Sequence, residues 1–253
     1  MTGSALETVL RRDRLIVIAA LATVVVLCFV YLASLAAAPG MAGMAPAARP
    51  WGPKDALAML LMWSAMMIGM MAPSVAPMIL IYARVGRQAQ SRGTPFAPAG
   101  WFALGYFLAW IAFAALATAL QWALESALLI SPMIAGATPL LGAVLLIAAG
   151  IYQWTPLKTA CLAQCQAPLQ FIQRHGGFRP ERQPSVVLGV RHGFYCIGCC
   201  WALMLLLFVG GVMNLLWIAA IGALVLAEKL IPGRLFQRVT GIVLIASGTA
   251  LLF

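Results

Sequence analysis

Apolar residues in this chain gather into long uninterrupted runs, near positions 15–38, 56–82, 100–124, 133–154, 186–209, 212–229 and 237–253. Each approaches the roughly 17–25 residues that carry a helix across hydrocarbon. In lipid every backbone polar group must be satisfied internally, so such runs become helices or closed barrels. Barrel strands alternate apolar and polar residues over about 10 positions. These runs are longer and do not alternate, so the pattern predicts an all-α, polytopic transmembrane helix bundle of about seven spans. Residues 1–253 then form a single membrane domain. The first run is too long and wrongly flanked for a simple signal peptide, although Ala36-Ala37-Ala38 offers small residues of the kind cleaved. The fifth and sixth runs part only around Gly210-Gly211, which requires a tight hairpin.

The polar positions set the orientation. With the N-terminus inside, the cytoplasmic segments hold Arg11, Arg12, Arg14, Arg84, Arg87, Arg92, Lys158, Arg174, Arg179, Arg182, Arg191, Lys229, Arg234 and Arg238. Only Arg49 and Lys54 fall outside, and this positive-inside asymmetry predicts an N-in, C-out multi-pass protein of a bacterial inner membrane. The net charge of +10 is therefore topological, with contact to anionic head groups, and does not point to nucleic acid. A composition of 64% hydrophobic and 9% charged residues agrees. Residues 1–14 form a cytoplasmic N-terminus, 39–55 an outer loop rich in Met, Pro and Gly, and 155–185 a cytoplasmic loop. Within the last, Leu157, Cys161, Cys165, Leu169 and Ile172 recur at helical spacing and predict a short interfacial amphipathic helix.

Five of the six cysteines form two groups on that cytoplasmic side. Cys161 and Cys165 are an i, i+4 pair on one helix face. Four residues after His192 comes Cys196-Ile-Gly-Cys199-Cys200, and at about 100° per residue His192, Cys196 and Cys199 share a stripe with Cys200 beside it. Thiolate and imidazole are preferred ligands of Cu(I) and Zn(II). Closely spaced thiols can instead cycle through a disulfide. Cytosol-facing thiols are kept reduced, which argues against static bridges. Packing explains the lone Cys28. An intramembrane histidine or carboxylate is a functional candidate by default, which adds His192 and Glu228. Lys229 reads as a snorkelling interfacial cation, and Glu125 and Asp55 receive no role.

The second run carries Met59, Met62, Met66, Met67, Met70, Met71 and Met78. Thioethers are soft ligands that favour Cu(I) over zinc, so Met66, Met67, Met70 and Met71 are secondary candidates beside the plainer reading as adaptable core. Met41 and Met44 in the outer loop extend the series. Pro73 and Pro77 interrupt the same run and predict a kinked or broken helix, a feature that marks binding sites in transporters or serves packing alone.

Several strings together resemble one family. They are Met66-Met67-Ile-Gly-Met70-Met71-Ala-Pro73 with Pro77, Tyr152-Gln-Trp-Thr-Pro156-Leu-Lys158 leading to Cys161 and Cys165, and Gly189-Val-Arg-His192-Gly193 leading to Cys196-Ile-Gly-Cys199-Cys200-Trp201. Gly211-Val-Met213-Asn214 and Glu228-Lys229 complete the set. From about residue 56 onward the chain resembles the DUF2182 family, which implies a metal-binding integral membrane protein.

The residues support three function classes. The first is a protein that binds, and in its fuller form transports, a soft metal ion, copper in preference to zinc, through Cys161, Cys165, His192, Cys196, Cys199 and Cys200. Its partners would be the bilayer and a metallochaperone or partner membrane protein. No G-x-x-x-x-G-K-[ST] string is present, so pumping would need an ion gradient or a partner. The second is a thiol redox or electron-transfer protein, with haem disfavoured by only two histidines and no Cys-x-x-Cys-His. The third is an assembly subunit with structural zinc. No catalytic set is apparent, so binding is favoured over enzymatic activity.

Overall fold

Long apolar runs with few backbone alternatives dictate helices, and helices are what form. The computed structural model describes residues 3–37, 51–94, 97–127 and 137–252, with side chains from residue 14 onward. The elements are α1 (Gly3–Ala36), α2 (Pro53–Ser91), α3 (Ala99–Ser126), α4 (Pro139–Tyr152), α5 (Pro156–Gln166), α6 (Pro168–Arg174), α7 (Arg182–Leu205), a 3-10 turn (Leu206–Phe208), α8 (Leu215–Leu230) and α9 (Arg234–Ala250). No strand occurs among the described residues. The Met41/Met44 pair lies outside them.

Each of the seven apolar runs coincides with a helix, but fewer qualify as spans. Four helices, α1, α2, α3 and α7 with its 3-10 turn, are long and apolar enough to cross a membrane. A fifth span results if α4 and α5, bent by 67° at the break between them, are taken as one. With 16 and 17 residues, α8 and α9 are short. Four to five helices among the described residues thus qualify as spans by length and composition, where the apolar runs suggest about seven. Large apolar side chains such as Leu216 (84% exposed) and Leu116 (69%) face outward, as suits a lipid environment.

The expected interfacial helix of the 155–185 stretch is two helices instead. Pro168 has no N–H for the Gln164 carbonyl, and Ala167 before it leaves helical geometry at φ −121° and ψ 69°. Leu157 of α5 and Leu169 of α6 are exposed, as the lipid-facing side of an interfacial helix would be, while Lys158 and Leu162 are buried. By contrast, α2 stays one continuous helix through Pro73 and Pro77. The fifth and sixth runs do meet in a tight turn. Gly211 adopts φ 87° there, and Trp217 Nε1 donates to the Leu206 carbonyl at 2.7 Å.

Small residues set the distances between helices. A β-carbon at Gly105 would overlap the Val186 carbonyl of α7, and one at Gly189 would overlap the Phe102 carbonyl of α3. The two backbones therefore touch, as membrane helices do where no hydrophobic effect drives them together. Gly150 and Gly241 join α4 to α9 in the same manner. At the end of the bundle opposite to α5 and α6, Glu125 accepts from Trp51 Nε1 at 3.0 Å and Gln121 Nε2 at 2.7 Å. Gln121 in turn accepts from Trp63 Nε1 at 2.6 Å, tying α2 to α3.

The α3–α7 contact places Tyr106 beside both His192 and Cys196, so it is the first thing to perturb. Gly189→Ala is expected to destabilise by about 1–3 kcal/mol through overpacking, read as a clear fall in Tm in detergent. Gly100→Ala, with nothing within 4 Å of its added carbon, should leave Tm unchanged. Equal Tm values for the two variants would refute the close contact.

Candidate metal centre

The stripe expected on α7 is wholly interior: His192, Cys196, Cys199 and Cys200 are all buried. Cys196 is its hub. Tyr106 OH from α3 lies 3.0 Å from the Cys196 sulfur, and Lys229 Nζ from α8 donates to it at 2.9 Å. The thiols of Cys165, Cys199 and Cys200 are neighbours of that sulfur. Cys165 also neighbours Cys199. Cys161 sits one turn back on α5, where a β-carbon at Gly198 would come within 2.8 Å of its sulfur. The two cysteine groups, some 30 positions apart in sequence, therefore meet at one end of the bundle.

A buried ammonium is tolerated only among acceptors. Besides Cys196, Lys229 Nζ donates to Ser74 Oγ at 3.0 Å and approaches Met71 Sδ at 3.9 Å. Tyr106 OH closes the ring at 3.2 Å from Ser74 Oγ. Lys229 is thus no snorkelling cation; it is the interior contact through which α8 meets α2 and α7.

Its neighbour Glu228 faces the other way. Lys158 Nζ, fully buried, donates to Glu228 Oε2 at 2.7 Å, and Gln153 Nε2 donates to Oε1 at 2.9 Å. Gln166 at the far end of α5 donates to the Glu228 carbonyl at 2.9 Å. Both carboxylate oxygens are engaged, so Glu228, a candidate ligand by sequence, ties α8 to α5 and to the end of α4. Tyr152 OH adds a short bond to the Gly198 carbonyl, joining α4 to α7.

The methionine candidates divide. Met71 borders the Lys229–Cys196 contact, whereas Met70 packs against Gly222 of α8. Met66 and Met67 are fully buried in the apolar core about one turn further along α2. His192 is set among the rings of Phe171, Tyr106 and Phe102 at 5.0, 5.7 and 5.9 Å between centroids. Its Nδ1 is buried with no hydrogen-bond partner, an arrangement that costs about 1–3 kcal/mol.

Among the described residues, no group of three or more His, Cys, Asp or Glu side chains is arranged to hold a metal ion. The thiol orientations account for part of this. Cys199 and Cys200 both donate to the Cys196 carbonyl at 3.0 Å, within their own helix. Four soft sulfurs thus lie close together without yet converging on a point. Tyr106 and Ser74 carry no sequence signal beyond polarity inside apolar runs, and although Gln153 and Lys158 lie in one of the family-like strings, only the folded chain reveals their pairing with Glu228.

The Lys158–Glu228 pair makes a direct prediction. Removing one partner of a buried pair costs about 3–5 kcal/mol, while replacing both with apolar residues is far milder. Thermal unfolding in detergent should therefore show Glu228→Met strongly destabilised and Lys158→Met/Glu228→Met largely recovered. A double variant at least as unstable as the single one would contradict the pairing.

A family model described as "PpoB2: Copper chaperone" matches residues 60–251. It covers all the residues of the thiol cluster and all the secondary methionine candidates. The matched family is copper-related and does not carry the DUF2182 name. No curated protein and no solved structure matches the chain.

Proposed function

The chain belongs to this copper-chaperone family, and on that premise we propose that it binds Cu(I) at the thiols of α5 and α7 and passes the ion on within a membrane. One observation carries the reading. Half-buried Cys165 of α5 lies beside Cys196 and Cys199 of α7, which are buried together with Cys200. Thiolate sulfur suits both Cu(I) and Zn(II), and a thioether beside it favours Cu(I). Met71 supplies the thioether at the same place.

Loading requires modest changes. Rotation of the Cys199 and Cys200 thiols away from the Cys196 carbonyl turns two sulfurs toward those of Cys196 and Cys165. Cys161 then stands as an exchange ligand at the cluster's edge, and the unpartnered Nδ1 of His192 as a nitrogen one turn away. A cluster of more sulfurs than the two or three a Cu(I) ion takes suits transfer by ligand exchange, in which one sulfur binds before another leaves. Copper is the cargo in this scheme. Its source or acceptor would be a metallochaperone or a partner membrane protein, and the positive-inside charge pattern would put the thiol end in the cytoplasm of a bacterial inner membrane.

Elemental analysis of anaerobically purified protein, loaded with Cu(I) and desalted, tests this. Wild type and Cys28→Ser should retain near-stoichiometric copper, while Cys196→Ser/Cys199→Ser/Cys200→Ser should lose it. Retention of zinc in preference to copper would replace cargo handling with a structural metal. Protein that stays empty while its thiols oxidise and reduce reversibly would favour the redox reading.

A further inference from the structure

Apart from the thiol cluster, the same end of the molecule carries a cleft of about 350 Å³, between the α6–α7 loop, α7 and the end of α2. Its polar lining includes Arg179 from the loop, Arg191 from the third turn of α7, His175 and Gln183. Tyr82 and Leu188 are buried lining residues, and Tyr82 OH bonds Ser185 Oγ at 2.9 Å. No acidic side chain lines the cleft.

Three features separate this cleft from a merely basic surface. First, two arginines from different segments line one cavity, and neither is ion-paired to a carboxylate among the described residues, even though Glu181 is close in sequence. Arg182, by contrast, already lies over the Trp101 ring at 5.5 Å. Second, Arg179 is folded back rather than extended. A β-carbon at Gly176 would lie 3.4 Å from its Nη2, and Gly176 holds φ 101°, so glycine both permits the turn and leaves room for the guanidinium. Third, His175 Nδ1 hydrogen-bonds the Phe171 carbonyl at 2.8 Å. A carbonyl only accepts, so Nδ1 carries the proton and the other ring nitrogen, Nε2, has no protein partner among the described residues.

A guanidinium, whose planar fork of N–H donors binds phosphate oxygens bidentately, is the side chain best matched to a tetrahedral oxyanion, and two of them line this cleft. The cavity exceeds a bare oxyanion in size, and Val187, Leu188 and Pro184 give it an apolar wall. We propose that this cleft is a binding site for a phosphate-bearing anion, clamped by Arg179 and Arg191 with His175 as the third contact. The chemistry is shared by an anionic phospholipid head group and by free phosphate, and it stands independently of copper binding.

Native mass spectrometry of the full-length protein, released from detergent containing phosphatidylglycerol, is the test. Wild type should retain the lipid, and Arg179→Gln/Arg191→Gln should weaken retention by about tenfold or more. Arg234→Gln/Arg238→Gln removes the same charge from exposed α9 positions outside the cleft and should retain it. His175→Gln should weaken it on its own, and unchanged Tm values for all three variants should show that the fold is intact. Displacement of the lipid by inorganic phosphate would identify a free-phosphate site, and resistance to displacement a head-group site. Equal losses in the two double variants, or wild type that holds neither phosphatidylglycerol nor inorganic phosphate, would overturn the proposal.

Discussion

The arrangement of the thiol end depends on two consecutive charged residues at the close of α8 that point in opposite directions. Lys229 reaches into the bundle to the Cys196 sulfur of α7 and to Ser74 of α2. Glu228 reaches outward to the buried Lys158 of α5. Through this bracket one short helix fixes both cysteine groups relative to each other. Burying such charges is costly, and the cost is offset only because each finds close partners: sulfur, hydroxyl and carboxylate within 3.0 Å. The bracket therefore also helps to place α5, together with the buried Leu162 of the same helix.

The rest of the bundle supports this end by close approach rather than by bulk. Gly105 and Gly189 bring α3 against α7, which is what sets Tyr106 beside Cys196. Gly150 and Gly241 do the same for α4 and α9, and α4 leads directly into α5. The methionines of α2 fill the space between these contacts, with Met62, Met66, Met67 and Met71 buried to within 1%. Only Met71 has a polar neighbour at the centre. An unbranched thioether suits both tasks.

Helix positions were legible from apolar run length, because in a chain this hydrophobic little else competes with the pattern. Length and composition qualify four to five helices as spans among the described residues, since α8 and α9 have 16 and 17 residues. The α7 cysteine stripe was legible from 3.6-residue periodicity, as was its convergence with α5 from shared sidedness. What periodicity missed was the inward face of α5. Its apolar spacing gave no hint that Lys158, beside the exposed Leu157, turns inward to an ion pair with Glu228. Lys229 was misjudged for the same reason: a lysine at a helix end reads as interfacial until its partners, distant in sequence, are known.

The central claim is that sulfurs from both α5 and α7 ligate one copper ion. X-ray absorption at the copper edge of the Cu(I)-loaded protein examines this most directly, with wild type beside Cys161→Ser/Cys165→Ser. A sulfur-only first shell in wild type that loses sulfur scatterers in the variant is the result predicted. A shell of nitrogen and oxygen, or a sulfur shell untouched by removing both α5 thiols, would contradict it.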